Sequence, residues 1–382
     1  MIVRLFLALS VLLSLIPNNL AEATSAASGI AQCGSPSSIR ATCYAKVLSA
    51  RPAISPVGYS PSQLRSAYRA SGIGNAHIAV VDAYGDPGIK ADLDTYSRNF
   101  GLPILPTCIR AAQAGCFEVT DQSGGQNLPR ANQGWALETA LDVETVHGMC
   151  PGCRIQLVQA KSASMVNLIA AVDRAVQSGA QIVSMSWGGS VTPSEISADS
   201  HFASTNVDFV ASSGDSGYGT SWPAVSPRVV AVGGTRLNLN SAGARLSETA
   251  WSGSGSGCSK FEAKPAWQHD PACSHRTVAD ISAVADPATG AAVYSSLSSG
   301  GSGWFSVGGT SLAAPIIAGL IGLSGGSSQA ELMSKLYGSL GTASIFDITS
   351  GANGGCSNYL CQALRGYDGP TGTGAPIGLS AL

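Results

Sequence analysis

One serine, three carboxyl groups and the glycines around them have the types and spacing for covalent chemistry. Ser311 lies in Val307–Gly319, V-G-G-T-S-L-A-A-P-I-I-A-G. The run Leu312–Leu323 is apolar nearly all round, which predicts a helix buried in a core. Pro315 is expected within its first turn, where a missing N–H costs little. Ser311 then stands at the helix N-terminus, beside unpaired amides and the positive end of the dipole. That position suits a nucleophilic hydroxyl. It equally suits an inert serine N-cap, so the rest of the chain has to decide.

A serine hydroxyl needs a base to become nucleophilic. The stretch Gly134–Met149, G-W-A-L-E-T-A-L-D-V-E-T-V-H-G-M, has helical periodicity through Leu137, Leu141 and Val146. Glu138 and Asp142 are four apart, which puts both carboxylates on one face. Two acids in contact titrate as a unit, one with a raised pKa. With Glu138 as base and Asp142 orienting it, the site works where a histidine would already be protonated. The plain alternative is a solvated acidic face with Glu144 as bystander. An oxyanion donor is also required. Asp215, in A-S-S-G-D-S-G-Y-G (Ala211–Gly219), follows a strand in a glycine-lined turn and can fill that role, or be a simple turn aspartate.

The elements that must position these groups alternate. His77–Ala83, Ile155–Ala160, Ile182–Trp187, Phe209–Ser213 and Val229–Val232 read as buried strands. Ile89–Phe100, Met165–Gln177 and Pro193–Ser204 read as helices, with Pro61–Ala70 leading in and Gln329–Leu340 near the end. This alternation predicts an α/β fold with a doubly wound, mostly parallel sheet and helices on both faces. Ligands bind beyond the carboxyl ends of such strands, where Asp82, Trp187 and Asp215 all fall. Cys108–Asn127 reads as a surface excursion, Thr235–Gly308 as Gly/Ser-rich loop, and the tail as Gly-rich.

The chain opens M-I-V-R, runs apolar from Leu5 to Ile16 and reaches Ala21-Glu22-Ala23. This predicts a secretory signal peptide over residues 1–23 and a secreted protein without stable membrane insertion. Residues 24–60 read as a short N-terminal extension open to trimming, and 61–382 as the main domain. Ten cysteines fall in local couples, Cys33/Cys43, Cys108/Cys116, Cys150/Cys153, Cys258/Cys273 and Cys356/Cys361. In an exported chain they are expected as disulfides. The formal charge is −2 with no long basic run, which argues against a nucleic-acid partner. Sparse charge also keeps self-repulsion modest in acid.

These motifs resemble the sedolisin (serine-carboxyl peptidase) family, which shares the subtilisin-like fold. The likeness rests on Glu-x-x-x-Asp at Glu138 and Asp142, Gly-Asp-Ser-Gly at Asp215, and Gly-Thr-Ser-x-x-x-Pro at Ser311. S-M-S-W-G at Ser184–Gly188 and V-G-G-T at Val232–Thr235 add to it. The resemblance implies Ser311 as nucleophile, Glu138 as base, Asp142 as its partner and Asp215 as oxyanion residue. It implies polypeptide substrates, acid-range endopeptidase activity and a monomer, with Asp82 extending the network behind the acid pair. F-D-I-T-S-G from Phe346 and L-R-G-Y-D-G-P-T-G from Leu364 resemble the halves of the family's calcium site. Asp347 and Asp368 would give carboxylates, and Ile348, Leu364 and Gly366 carbonyls, to one structural Ca²⁺. Gly308 departs from the usual S-G-T-S, and residues 24–60 are shorter than the family's long propeptide.

Other readings remain open on sequence. A subtilisin-type triad would use Asp82, His147 and Ser311, although Asp215 stands where such enzymes carry asparagine. Gly214–Gly217 resembles a chymotrypsin-like motif without its histidine segment, and Gly322–Gly326 matches G-x-S-x-G by chance at a helix end. A catalytically inactive exported binding protein on a peptidase fold is the reading from another class.

Overall fold

The computed structural model describes residues 29–382 apart from Ser38, Ala111 and Ala112. The signal-peptide expectation therefore lies outside the described residues. An eight-stranded sheet forms the centre. Its spatial order is Arg245–Ala250, Val230–Leu239, Asp208–Ser212, Ile182–Met185, His77–Ala83, Arg154–Ala160 and Phe117–Asp121, with Ile281–Val284 also paired to Val230–Leu239. Every pairing is parallel except that of Arg245–Ala250. His77–Ala83 and Arg154–Ala160 are buried at each position, the pattern of parallel strands covered on both faces.

The helices that bear Glu138, Asp142 and Ser311 pack against each other. Gln133–Met149 starts at Asn132, whose side chain caps the Trp135 amide, and is buried from Gly134 to its end. Thr310–Ser324 is buried from Thr310 to Gly322 and packs on the sheet and on Gln133–Met149. Met165–Gln177, capped by Ser164, packs on Arg154–Ala160 and His77–Ala83. A second, four-stranded sheet joins Ile30–Ala31, Lys46–Val47, Gly301–Gly308 and Ala291–Ser298 in that order. All five disulfides close the expected couples. Among the described residues no single helix is long and apolar enough to cross a membrane.

Several boundaries differ from the sequence reading. Thr235–Gly308 is largely strand, not loop, and Cys108–Asn127 contributes the edge strand Phe117–Asp121. Pro193–Ser204 gives only the short helix Glu195–Ala198 and a 3₁₀ turn. Pro315 lies inside its helix, because the helix begins at Thr310 rather than Leu312.

Burial ties the stability of the fold to pH. It pushes Asp82, Asp86, Glu195 and Glu262 up to about 7 and Asp208 and Asp215 up to about 6. Glu138, Asp142 and Glu144 rise well above the usual range for the same leading reason. Between about pH 4 and about pH 7 the native state thus holds more protons than the unfolded chain, so stability falls as pH rises. Buried His147, lowered to about 4, opposes this on the acid side. The thermal midpoint is expected to be higher at about pH 4.5 than at about pH 7.5, by on the order of 10 °C. An equal or higher midpoint at the upper pH would contradict this assignment.

Candidate active site

Ser311 is the second residue of Thr310–Ser324, whose N-cap Gly309 has φ 92°. A Cβ on Gly309 would collide with the Tyr44 carbonyl oxygen and crowd Asp215 Oδ2. Glycine here opens the space that those two oxygens share. Ser311 Oγ accepts from the Tyr44 amide at 3.0 Å and donates to the Ser186 carbonyl at 3.1 Å. The same hydroxyl lies by Glu138 and partly offsets the rise in that carboxyl's pKa. Its single proton can go to the carbonyl or to Glu138, and rotation of the hydroxyl chooses between them.

Pro315 has no N–H to offer the Ser311 carbonyl four residues back. Ser186 Oγ stands 3.3 Å from that carbonyl and 2.8 Å from Asp142 Oδ1. The serine of S-M-S-W-G thereby ties the acid helix to the nucleophile helix, a role that the motif alone did not reveal.

The sequence-predicted catalytic residues converge. Glu138 and Asp142 are both fully buried, which rules out a solvated acidic face. Burial leads the rise of each pKa, and charge on Asp82 adds to both. Asp82, also fully buried, lies by the Thr139 hydroxyl, which partly offsets the rise in its pKa. It forms a third acid behind the pair, able to share its protons. Glu138 Oε2 accepts from the Ala45 amide at 2.8 Å, and Oε1 has no partner.

Asp215 sits where the turn after Asp208–Ser212 meets the nucleophile helix. Its Oδ1 accepts from the Thr310 amide and the Thr310 hydroxyl, both at 2.8 Å. Oδ2 is buried without a hydrogen-bond partner. A proton on this carboxyl therefore belongs on Oδ2, the atom nearest the Tyr44 carbonyl. Burial raises its pKa to about 6, against the lowering charge of Lys46. Lys46 Nζ donates to the Asp215 carbonyl at 2.7 Å and lies 3.9 Å from Oδ2.

His147 is no part of this cluster. Its Nε2 bonds the Pro103 carbonyl at 2.9 Å, and burial lowers its pKa to about 4. The structure thus removes the histidine triad.

The N-terminal residues run through the site, which nothing in their local sequence announced. Thr42 and Cys43 pair antiparallel with Gly188 and Trp187, and the Tyr44 amide donates to Ser186 O at 3.3 Å. The Tyr44 ring enters a pocket beside Gly188 and Gly214, with its hydroxyl 2.5 Å from Ser221 Oγ. A Cβ on Gly188 would strike both hydroxyls, so glycine sizes the pocket for an aromatic ring.

The tail residues form a separate cluster. Asp347 accepts from the Gly366 amide at 3.1 Å. Asp368 is fully buried and accepts from the Leu364 amide at 3.1 Å and the Thr371 amide at 2.9 Å. Burial, with Asp347 adding to it, pushes Asp368 up to about 8. The amides of Leu364 and Gly366 thus bring the two carboxyl groups, one on each stretch of the tail, into one loop cluster. Among the described residues no three His, Cys, Asp or Glu side chains converge, so a cation held here would have to draw on main-chain oxygens.

A parallel sheet carrying a serine at the head of a buried helix, with acids at neighbouring strand and helix ends, defines the subtilisin-like class. A family model described as the subtilase family matches residues 124–330, and the chain belongs to that family. It is 31% identical to kumamolisin of Bacillus sp. (strain MN-32) over 368 residues, covering 86% of this chain and 63% of that protein. It is 28% identical to sedolisin of Pseudomonas sp. (strain 101) over 369 residues, covering 83% and 60%. The chain thus spans about three-fifths of the length of these curated relatives. The solved structure of Pseudomonas sedolisin, a serine-carboxyl proteinase complexed with two molecules of pseudo-iodotyrostatin, superposes with a TM-score of 0.71. Identity there is 28%, with 84% of this chain and 96% of that chain covered.

Proposed function

We propose that the chain is a secreted, acid-active serine-carboxyl endopeptidase that cuts polypeptides through a Ser311 acyl-enzyme. The observation that carries this reading is the meeting of Ser311, Glu138 and Asp215 around the backbone of Tyr44–Ala45, with Asp142 joined to them through Ser186. Glu138 takes the Ser311 proton as the hydroxyl attacks the substrate carbonyl, and Asp142 and Asp82 buffer its charge. Asp215 Oδ2 donates its proton's hydrogen bond to the oxygen that becomes negative. Glu138 then returns its proton to the leaving amine. Five disulfides suit an oxidising, extracellular compartment. The test is release of peptides from an unfolded protein at about pH 4, with Ser311→Ala as control. No release by the wild type at any pH would reject the reading.

One structural Ca²⁺ belongs to the same proposal, held by Asp347 and Asp368 with the carbonyls of Ile348, Leu364 and Gly366. The ion would neutralise the two acids and fix the glycine-rich loop. A cation that binds only the folded chain raises stability by about 2.7 kcal/mol at a hundredfold excess over Kd. The thermal midpoint should rise by roughly 5 °C from chelator to excess Ca²⁺. Identical midpoints would remove the metal from the account.

A further inference from the structure

We propose that an aromatic pocket lined by Trp267, Tyr337, Tyr359 and Tyr367 binds an acidic saccharide, a sugar chain that carries carboxylates. Three stretches far apart in sequence build it. Trp267 and His269 stand in the connection between Gly257–Ala263 and His275–Val278, which the Cys258–Cys273 disulfide closes. Tyr337 lies in the last turn of the helix Gln329–Gly338, and Tyr359, Arg365 and Tyr367 belong to the tail. The cavity measures about 360 Å³, within the size range of small-molecule sites. None of its lining residues belongs to the cleft around Tyr44 and Asp215.

The tyrosine rings are held from behind. The Tyr337 hydroxyl donates to Asp280 Oδ1 at 2.7 Å and accepts from Gln268 Nε2 at 2.8 Å. The Tyr359 hydroxyl donates to Asp270 Oδ2 at 2.6 Å and accepts from the Ala272 amide at 2.9 Å. The Tyr367 hydroxyl donates to the Ala279 carbonyl at 2.9 Å. Tyr337 and Tyr367 stack with ring centres 5.8 Å apart, and Tyr359 meets Tyr367 at 6.4 Å. With each hydroxyl tied inward, the rings are fixed before a ligand arrives, which lowers the ordering cost of binding. Yet the three tyrosines and Trp267 stay only half-buried. Ring surface so fixed and still open is a platform for the flat face of a ligand.

The polar groups select the ligand. Arg365 and His269 are exposed, and neither side chain makes a hydrogen bond or ion pair among the described residues. Asp270 offers no free charge. Lys264 Nζ lies 3.0 Å from its Oδ1, and the Thr277 and Tyr359 hydroxyls donate to its Oδ2. An aromatic cage with an unmatched acid attracts cations, whereas this one has its acid matched and a guanidinium to spare. That spare charge favours an anion, and a guanidinium grips a carboxylate through two parallel hydrogen bonds. A purely apolar ligand would cover Arg365 and His269 and leave their donors without acceptors. A uronate unit answers both demands: its C–H face stacks on the rings, and its hydroxyls and carboxylate meet the donors at the edge.

The test is calorimetric titration of the full chain at about pH 6, where sugar carboxylates are ionised. The probes are a short oligogalacturonate and a neutral oligogalactose of the same length. The acidic chain should bind saturably and about tenfold tighter than the neutral one, and added salt should weaken it. Arg365→Ala should remove the preference for the acidic chain. Trp267→Ala should weaken the acidic chain by roughly tenfold. Because Arg365 is exposed and unbonded, its variant keeps the fold whatever becomes of Trp267→Ala. No saturable binding of the acidic chain, equal affinity for the two chains, or unchanged affinity in Arg365→Ala would each overturn the proposal. A proline-rich peptide that binds these rings where the sugar does not would make the pocket a polypeptide site and overturn it as well. The peptidase reading stands apart from each of these results, since its residues line a different cleft.

Discussion

Ser311→Ala is expected to lower peptide hydrolysis by a factor on the order of 10⁴ or more while leaving the thermal midpoint close to that of the wild type. The size follows from losing the covalent route altogether: the neighbouring hydroxyl at the helix head, Thr310 Oγ1, is held between the Gly214 amide and Asp215 Oδ1. The mild structural effect follows from what Oγ touches. It accepts from the Tyr44 amide and donates to Ser186 O. After truncation the Tyr44 amide keeps Ser186 O at 3.3 Å as acceptor. The tie between the helices runs through Ser186 Oγ to Asp142 and to the Ser311 carbonyl, and alanine retains that carbonyl. Peptide release and thermal unfolding measured on one preparation check both halves. Activity near that of the wild type would remove Ser311 as nucleophile, whereas a collapsed midpoint would mean that the hydroxyl is structural.

The residues that cluster at the candidate site could be singled out because each stands in a short stretch with a strong local signature. Glu138 and Asp142 share a helix face by spacing alone, and Asp215 and Ser311 stand in glycine-marked turns. His77–Ala83 was legible to the residue, since a parallel strand covered on both faces is a continuous apolar run. The strands between Thr235 and Gly308 were not. Arg245–Ala250 and Gly257–Ala263 mix exposed, half-buried and buried residues and carry no long apolar run. Pairing partners distant in sequence decide their conformation. Tyr44 is the extreme case: its amide meets a hydroxyl 267 positions away. Only the assembled fold makes that residue part of the site. Pro315 misled for a different reason. An interior proline removes one helix bond, and the compensating donor, Ser186, belongs to a strand end far upstream.

Peptide hydrolysis should follow a bell-shaped pH profile with its maximum in the acid range, on the order of pH 3–5. The two limbs come from opposite demands on carboxyl groups. Glu138 must be able to accept the Ser311 proton, so at least one negative charge has to reside on the Glu138, Asp142 and Asp82 cluster. As acid removes that charge the acid limb falls. Burial is the leading cause of the raised Glu138 pKa, and the segment 30–47 supplies part of that burial. Once a solvated cleft replaces it, the shift diminishes and the base becomes available in moderate acid. Asp215 has the reverse need, because only its neutral form carries a proton on Oδ2 toward the developing oxyanion. Burial puts its pKa at about 6, so activity should fall as pH rises through that value. Above it a negative carboxylate would face a negative oxygen. Asp215→Asn isolates this limb. The amide oxygen can keep both Thr310 hydrogen bonds, and the amide nitrogen donates from the Oδ2 position without ionising. The variant should be slower at the wild-type optimum, since an amide is the weaker donor, and its residual activity should extend to higher pH with the limb near 6 weakened. Profiles of kcat/KM for the two proteins decide the point. A wild-type maximum at about pH 7 or above would overturn the carboxyl mechanism, and an unmoved alkaline limb in Asp215→Asn would assign that ionisation to another group.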